Sequence, residues 1–257
     1  MRIAIDAREL AGQPTGVGRF LHEILAQWRE GGIAASHELV TLGPRDGEAA
    51  GTAWEQFTLP RLVRESGADV LLAPGYTAPL RSPVPTAVVV HDVSFAARPE
   101  WFPWREGARR RVLTRLSAQR AARVITVSHF SKREVVAHLG IDAAKVRVVY
   151  HGLSRVGGAN AGRTVPPSQA TGDGTRRNIL YVGSIFNRRH VPELIDAFTR
   201  LAATHPGVAI DIVGANRTSP RIDIAGLAAD PRVRIRSYVS DDELAGLYAQ
   251  AGAFVFL

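Results

Sequence analysis

The 257-residue sequence contains no cysteine, which excludes a disulfide framework and any thiolate metal site. Lysine is nearly missing too. Lys132 and Lys145 are the only two, so almost all of the formal +8 charge rests on arginine. No apolar run approaches the ~20 residues that a bilayer-spanning helix needs. The N-terminus lacks the basic-then-apolar order of a signal peptide. No Asp-x-Asp pair marks a divalent-ion site, and no recognition motif points to nucleic acid. What is left is a chain whose apolar fraction, 46%, suits ordinary globular cores; it reads as a soluble, cytoplasmic protein. Its arginine excess has four readings: nucleic acid, an anionic membrane, phosphorylated ligands, or a coding bias on a solvated surface.

Apolar periodicity alternates between strand and helix. Arg2–Asp6 reads as a strand followed by a turn-rich segment, Ala11–Gly16. Val17, Phe20, Leu21, Ile24, Leu25 and Trp28 then recur at helical spacing. Strands are expected at His37–Gly43, Ala68–Pro74, Thr86–Asp92, Arg123–Ser128 and Val146–Tyr150. A helix between the last two has Ser131 and Glu134 as its expected capping box. Such alternation implies a parallel, doubly wound sheet. Residues 157–177 have no periodic face and read as a linker or loop between a first domain, 1–156, and a second, 178–257. In the second, strands at Asn178–Gly183, Val208–Gly214 and Val233–Val239 precede a helix over Asp241–Ala251 capped by Ser240 and Glu243. The final strand, Ala253–Leu257, has no helix behind it. The second unit is either a small four-stranded domain or one that stops partway, and the element order favours the latter.

Three places have the chemistry of a ligand site. Thr15-Gly16-Val17-Gly18-Arg19 opens the first helix, where unpaired N–H groups and the helix dipole attract anions and glycines permit close approach. It is not a dinucleotide fingerprint, because no third glycine follows at the required spacing. A plain tight turn explains it equally. His91-Asp92 closes the strand that starts at Thr86, and in open α/β sheets ligands bind beyond the carboxyl ends of strands. There His91 is a candidate donor to a substrate hydroxyl, and Asp92 either orients it or caps the next turn. Gly183 through His190 brings Arg188 and Arg189 to the start of a helix. Cations there oppose the helix dipole, unless they share a bound anion with its N–H groups, and a guanidinium fork suits a diphosphate.

In that order Ile5-Asp6-Ala7-Arg8, Thr15–Arg19, His91-Asp92, Val127-Ser128-His129-Phe130-Ser131, His151-Gly152, Leu180–Gly183 with Arg188-Arg189, and Gly214 resemble the family 4 glycosyltransferases of the GT-B fold, in particular a mannosyltransferase-like group. Tyr238 to Leu244, Tyr248 and Ala253–Leu257 continue the likeness. The resemblance implies two Rossmann-like domains facing a cleft, the second incomplete. It implies retaining, metal-independent transfer of a hexose from a nucleotide sugar such as GDP-mannose or a UDP-hexose to a saccharide or lipid-linked acceptor, with no cofactor, in polysaccharide or envelope-glycan synthesis. By the same resemblance His91 is catalytic beside the donor sugar. Gly16, Gly18, Gly183, Arg188 and Arg189 serve the diphosphate, and Tyr238 and Val239 the nucleobase, while Arg19, Asp92 and Ser128 support or face the acceptor. Relatives have two glutamates eight positions apart after the strand matching Ala253–Leu257, and this sequence stops before them.

Two rivals share the architecture: a sugar-nucleotide epimerase, and an inactive or interaction fragment. A further stretch, Trp101–Arg123, sets seven arginines behind Trp101, Phe102 and Trp104. It reads either as a dock for anionic membrane or as a solvated face over a Val112–Leu113–Leu116 stripe. Acceptor choice is expected in loops of the first domain, at Gly43–Thr58 and Tyr76–Pro85.

Overall fold

In a computed structural model, described over residues 1–11, 16–45, 47–152 and 177–257, the chain divides into two compact units, Met1–Leu153 and Ser154–Leu257. The interdomain segment expected at 157–177 lies outside the described residues but for Arg177, as does Thr15 of the glycine motif.

Unit 1 runs β1 (Arg2–Asp6), α1 (Gly16–Glu30), α2 (Ile33–Ser36), β2 (Glu38–Leu42), α3 (Leu59–Glu65), β3 (Val70–Ala73), β4 (Thr86–Val89), α4 (Ser94–Ala97), α5 (Trp104–Arg120), β5 (Arg123–Thr126), α6 (His129–Leu139) and β6 (Val146–Val148). Its sheet is all parallel in the order β2-β1-β3-β4-β5-β6. Period-two alternation splits each strand between two cores. Ile5 and Leu72 meet Leu21 and Leu25 of α1, whereas Ala4 and Leu71 meet Leu59 and Val63 of α3 with Trp54. A third cluster joins Val88, Val90 and Val124 to Val135 and Leu139 of α6. From β1 the chain steps to β2 on one side, and from β3 onward it builds on the other. The reversal between β1 and β3 opens a crevice at their carboxyl ends.

Unit 2 runs β7 (Asn178–Val182), α7 (Val191–Thr204), β8 (Ala209–Val213), α8 (Ile224–Leu227), β9 (Val233–Arg236), α9 (Asp241–Gln250) and β10 (Ala253–Phe254). Its parallel sheet has the order β10-β7-β8-β9, so its reversal lies between β7 and β10. Val191, Ile195, Phe198 and Ala202 of α7 cover Ile210 and Ile212. On the opposite face Leu180 and Val213 pack with Val239 and Leu247. The buried Asp211 carboxylate takes Arg234 at 2.7 Å and Arg236 at 3.3 Å.

Four sequence expectations change. The N-cap of α6 is Ser128, whose Oγ accepts from the Ser131 N–H at 3.0 Å. Ser131 is one turn inside and buried, with its hydroxyl donating to the His91 carbonyl at 3.0 Å. Extended backbone at Ser128 lets the helix begin three residues sooner than the Ser131–Glu134 spacing indicated. The Gly43–Thr58 stretch is not loop throughout: Trp54–Thr58 forms a π-helical turn that runs into α3, with Trp54 and Glu55 buried. Val112 on α5 is exposed, and the buried side of that helix is Gly107, Thr114, Ser117 and Ala118. Small residues there let α5 sit close to the sheet. Val239 is buried in the unit 2 core, so its side chain is packing while Tyr238 stands exposed.

Candidate active site

Each unit places its candidate residues at the carboxyl end of its own sheet. In unit 1, β4 delivers His91. Its ring nitrogen Nε2 lies 2.9 Å from the Pro74 carbonyl oxygen, which can only accept, so Nε2 carries the proton and Nδ1 of the neutral ring is the acceptor. Burial holds the imidazole below its usual pKa, and neighbouring His151 adds to that, against the bond to Pro74 and the charges of Asp92 and Glu9. With Nε2–H committed to Pro74, the neutral ring offers Nδ1 as an acceptor, not the donor the sequence reading expected. Phe20 of α1 meets the ring edge-on at 5.0 Å, and His151 does so at 5.6 Å while stacking on Phe20 at 4.9 Å.

Asp92 acts on the imidazole through its charge. Its Oδ1 accepts from the Ser94 N–H (2.9 Å) and hydroxyl (2.7 Å), capping the next turn, and its Oδ2 accepts from the Tyr76 hydroxyl at 2.9 Å. Tyr76 has a left-handed backbone, φ 68°, a strained state for a side chain as large as tyrosine. It is held by its N–H to Val89 at 3.0 Å and its ring against His91 at 5.3 Å. Ser128 is tied in through Ser131, since its hydroxyl donates to Ser131 Oγ at 3.1 Å. Gly16 and Gly18 begin α1, with open space where a Cβ at Gly16 would lie. Arg19 is exposed on the same turn.

Beneath β1 and β3 sits a buried ionic cluster that the sequence did not disclose. Arg8 bridges Asp6 (2.8 Å) and Glu55 (2.7 Å), and the Thr77 hydroxyl donates to Glu55 at 2.5 Å. Two carboxylates share one guanidinium. Burial pushes the Asp6 carboxyl up despite Arg8. Burial alone would lower the Arg8 pKa, but both carboxylates outweigh it and hold it raised. The π-helical turn is what aims Glu55 inward. Nothing in Trp54-Glu55-Gln56-Phe57 signals this, whereas Pro74-Gly75 before Tyr76 is a legible turn.

In unit 2, Gly183 ends β7 and donates its N–H to Val213 at 2.8 Å. The Asn187–Arg189 turn closes at His190, left-handed at φ 49°, which starts α7. The Arg189 guanidinium lies 4.2 Å over the Phe256 ring and donates to the Leu257 carbonyl at 3.0 Å. Arg188 lies 4.2 Å over Phe186. Both are therefore held beside the β7/β10 reversal, on aromatic platforms. Tyr181 is buried below Gly183, its hydroxyl without a partner among the described residues. Burial raises its pKa against the pull of Arg189 and Arg188. Among the described residues no group of three His, Asp or Glu side chains is placed to hold a metal ion.

The sequence profile of Glycosyltransferase Family 4 matches residues 14–155, more than half of the chain. The chain belongs to glycosyltransferase family 4. The family segment contains the Gly16–Gly18 turn, His91-Asp92, Ser128 and His151. No curated protein matches the sequence. Among solved structures, the chain is similar to Anabaena HepE in complex with UDP-glucose, at TM-score 0.66 and 19% identity over 99% of this chain and 73% of that one. It is also similar to WaaG, a glycosyltransferase of lipopolysaccharide biosynthesis, at TM-score 0.67 and 15% identity over 100% of this chain and 74% of that one. A putative UDP-N-acetylglucosamine 2-epimerase from Listeria monocytogenes matches at TM-score 0.59 and 11% identity, over 98% of this chain and 73% of that one. The fold, an α/β architecture of GT-B type with two parallel sheets, is thus shared by transferases and an epimerase. Family membership separates them, placing this chain with the transferases.

Proposed function

We propose that this family 4 member transfers a hexose from a nucleotide diphosphate sugar to a saccharide acceptor, free or lipid-linked, with retention and without a metal. The observation that carries this reading is the Arg188–Arg189 pair, fixed on aromatic rings at the strand reversal of unit 2 and leading into α7. Departure of a nucleoside diphosphate puts growing charge on phosphate oxygen, and preorganised cations stabilise that charge in the transition state. Gly16 and Gly18 are assigned to an anionic group of a substrate at the start of α1, and Gly183 shapes the turn below the arginines. The exposed Tyr238 is assigned to the nucleobase. His91 accepts a hydrogen bond from a hydroxyl of the donor sugar at Nδ1, while Asp92 and Ser128 keep the strand end in place. Arg19 is assigned to the acceptor side.

HepE's complex with UDP-glucose supports a UDP-hexose ahead of GDP-mannose. Calorimetric titration with UDP and GDP, followed by a donor-hydrolysis assay with labelled UDP-hexoses and GDP-mannose, tests the reading. Binding of one diphosphate that weakens about tenfold in Arg189→Gln is expected. Failure of both nucleotides to bind refutes it.

Peripheral contact with anionic membrane belongs to the same reading. No helix among the described residues is long and apolar enough to cross a membrane. On α5, however, Trp104 is 77% exposed beside Arg105, and Arg109, Arg110 and Arg111 follow on its exposed surface. Each surface arginine contributes about 1 kcal/mol towards an anionic bilayer. Co-sedimentation with phosphatidylglycerol vesicles that is unaffected by replacing Arg109, Arg110 and Arg111 with glutamine removes this part.

A further inference from the structure

Unit 1 holds a cleft of about 640 Å³ lined by Asp92, Ser94, Arg98, Trp101, Phe130 and Glu134, with Ser131, His138 and the apolar Val93 and Ala97 completing its wall. It opens beyond the carboxyl end of β4 and beside the start of α6, with the Tyr76 hydroxyl 2.9 Å from its Asp92 wall. We propose that this cleft binds the acceptor as a neutral hexose ring, an assignment that rests on the transferase reading above.

Its walls combine two kinds of group. Trp101 and Phe130 are 44% and 63% exposed, leaving aromatic surface to cover the C–H face of a sugar. Arg98, Glu134 and Ser94 supply the donors and acceptors that ring hydroxyls need. Glu134 lies 3.4 Å from His138, so its carboxylate is steadied on one side. Val93 and Ala97 add apolar lining, so a lipid control separates an acyl chain from a sugar. Asp92 and Glu134 are offset in the lining by Arg98, with His138 beside Glu134, so the space favours no strong charge of one sign and suits a neutral ligand. The location agrees with the chemistry. Asp92 follows His91 directly, and the Ser131 hydroxyl donates to the His91 carbonyl at 3.0 Å, so the cleft shares its backbone frame with the residue assigned to the donor sugar.

The test follows the Trp101 indole N–H by NMR in the full chain, its peak assigned by its loss in Trp101→Phe. The probes are methyl and octyl glycosides of glucose, galactose and mannose, with octyl phosphocholine as the lipid control. Saturable shifts with a methyl glycoside, weakened about tenfold in Glu134→Gln, are expected. Stronger binding of the matching octyl glycoside identifies a lipid-linked source, and equal binding a free saccharide. Shifts with octyl phosphocholine but with no methyl glycoside, or no shift with any probe, overturn the proposal. Thermal melts of Glu134→Gln confirm that the fold is intact. UDP titration of the same sample reports the donor reading separately, so one can fail without the other.

Discussion

Gly214 stands where the second sheet leaves no room, and replacing it with alanine probes both stability and site. A Cβ there would fall inside the contact shell of the Gly183 carbonyl oxygen, 2.6 Å from its carbon and 3.3 Å from the Ser184 nitrogen. These are backbone atoms, so no side chain can swing aside. The ends of β7 and β8 must part, although Gly183 N–H to Val213 (2.8 Å) and Ile185 N–H to Ala215 (2.9 Å) hold them together. Overpacking of this kind costs about 2–3 kcal/mol. In a unit of this size each kcal/mol moves the midpoint by roughly 4–8 °C, so the unit 2 transition should fall by roughly 10–20 °C. Because the displaced segment leads into the Arg188–Arg189 turn, UDP affinity measured well below the midpoint should also drop, by about tenfold or more. Circular dichroism melts and calorimetry read the two effects. A Gly214→Ala variant that melts within about 2 °C of the parent and keeps its nucleotide affinity would refute the steric reasoning.

The Asp6–Arg8–Glu55 cluster makes a differential prediction. Arg8→Met leaves two buried carboxylates together and should cost about 3–5 kcal/mol in urea unfolding, whereas Glu55→Gln leaves a balanced Asp6–Arg8 pair and should cost far less. Equal losses would count against the charge argument. His91, with its pKa held below the usual value by burial, binds fewer protons folded than unfolded. Stability is then full above about pH 6.5 and is lost as pH falls through the lowered folded value. His91→Gln should flatten the melting temperature between pH 7.5 and 5, and an unchanged slope would contradict this. Ser128→Ala should cost about 1 kcal/mol as a lost N-cap, with Ser128→Asp restoring most of it in the same melts; no loss in the alanine variant would return the cap to Ser131.

Local pattern carried most of the architecture. Apolar alternation located the strands because a parallel sheet covered on both faces demands short apolar runs. The i, i+3, i+4 spacing of α1 and α7 is visible because each buries one stripe. Legibility failed where side chains answer to distant partners. Ser131 looked like a cap by spacing, yet it is drawn inward by the His91 carbonyl, 40 residues away in sequence. Val112 belonged to an apolar stripe on paper, but α5 turns its small residues inward instead. Glu55 carries no signal because only the π-helical turn aims it at Arg8.

The sequence by itself therefore determined the repeated strand–helix order, the glycines at the α1 start, the Arg188–Arg189 pair and the family, all properties of neighbours along the chain. Tertiary structure alone decided that His91 spends Nε2 on Pro74, that Tyr76 is held left-handed beside it, and that Asp92, Trp101, Phe130 and Glu134 line one cleft. Tautomer, strain and shared walls depend on groups that meet only once the sheet order is set, and no periodicity records such encounters.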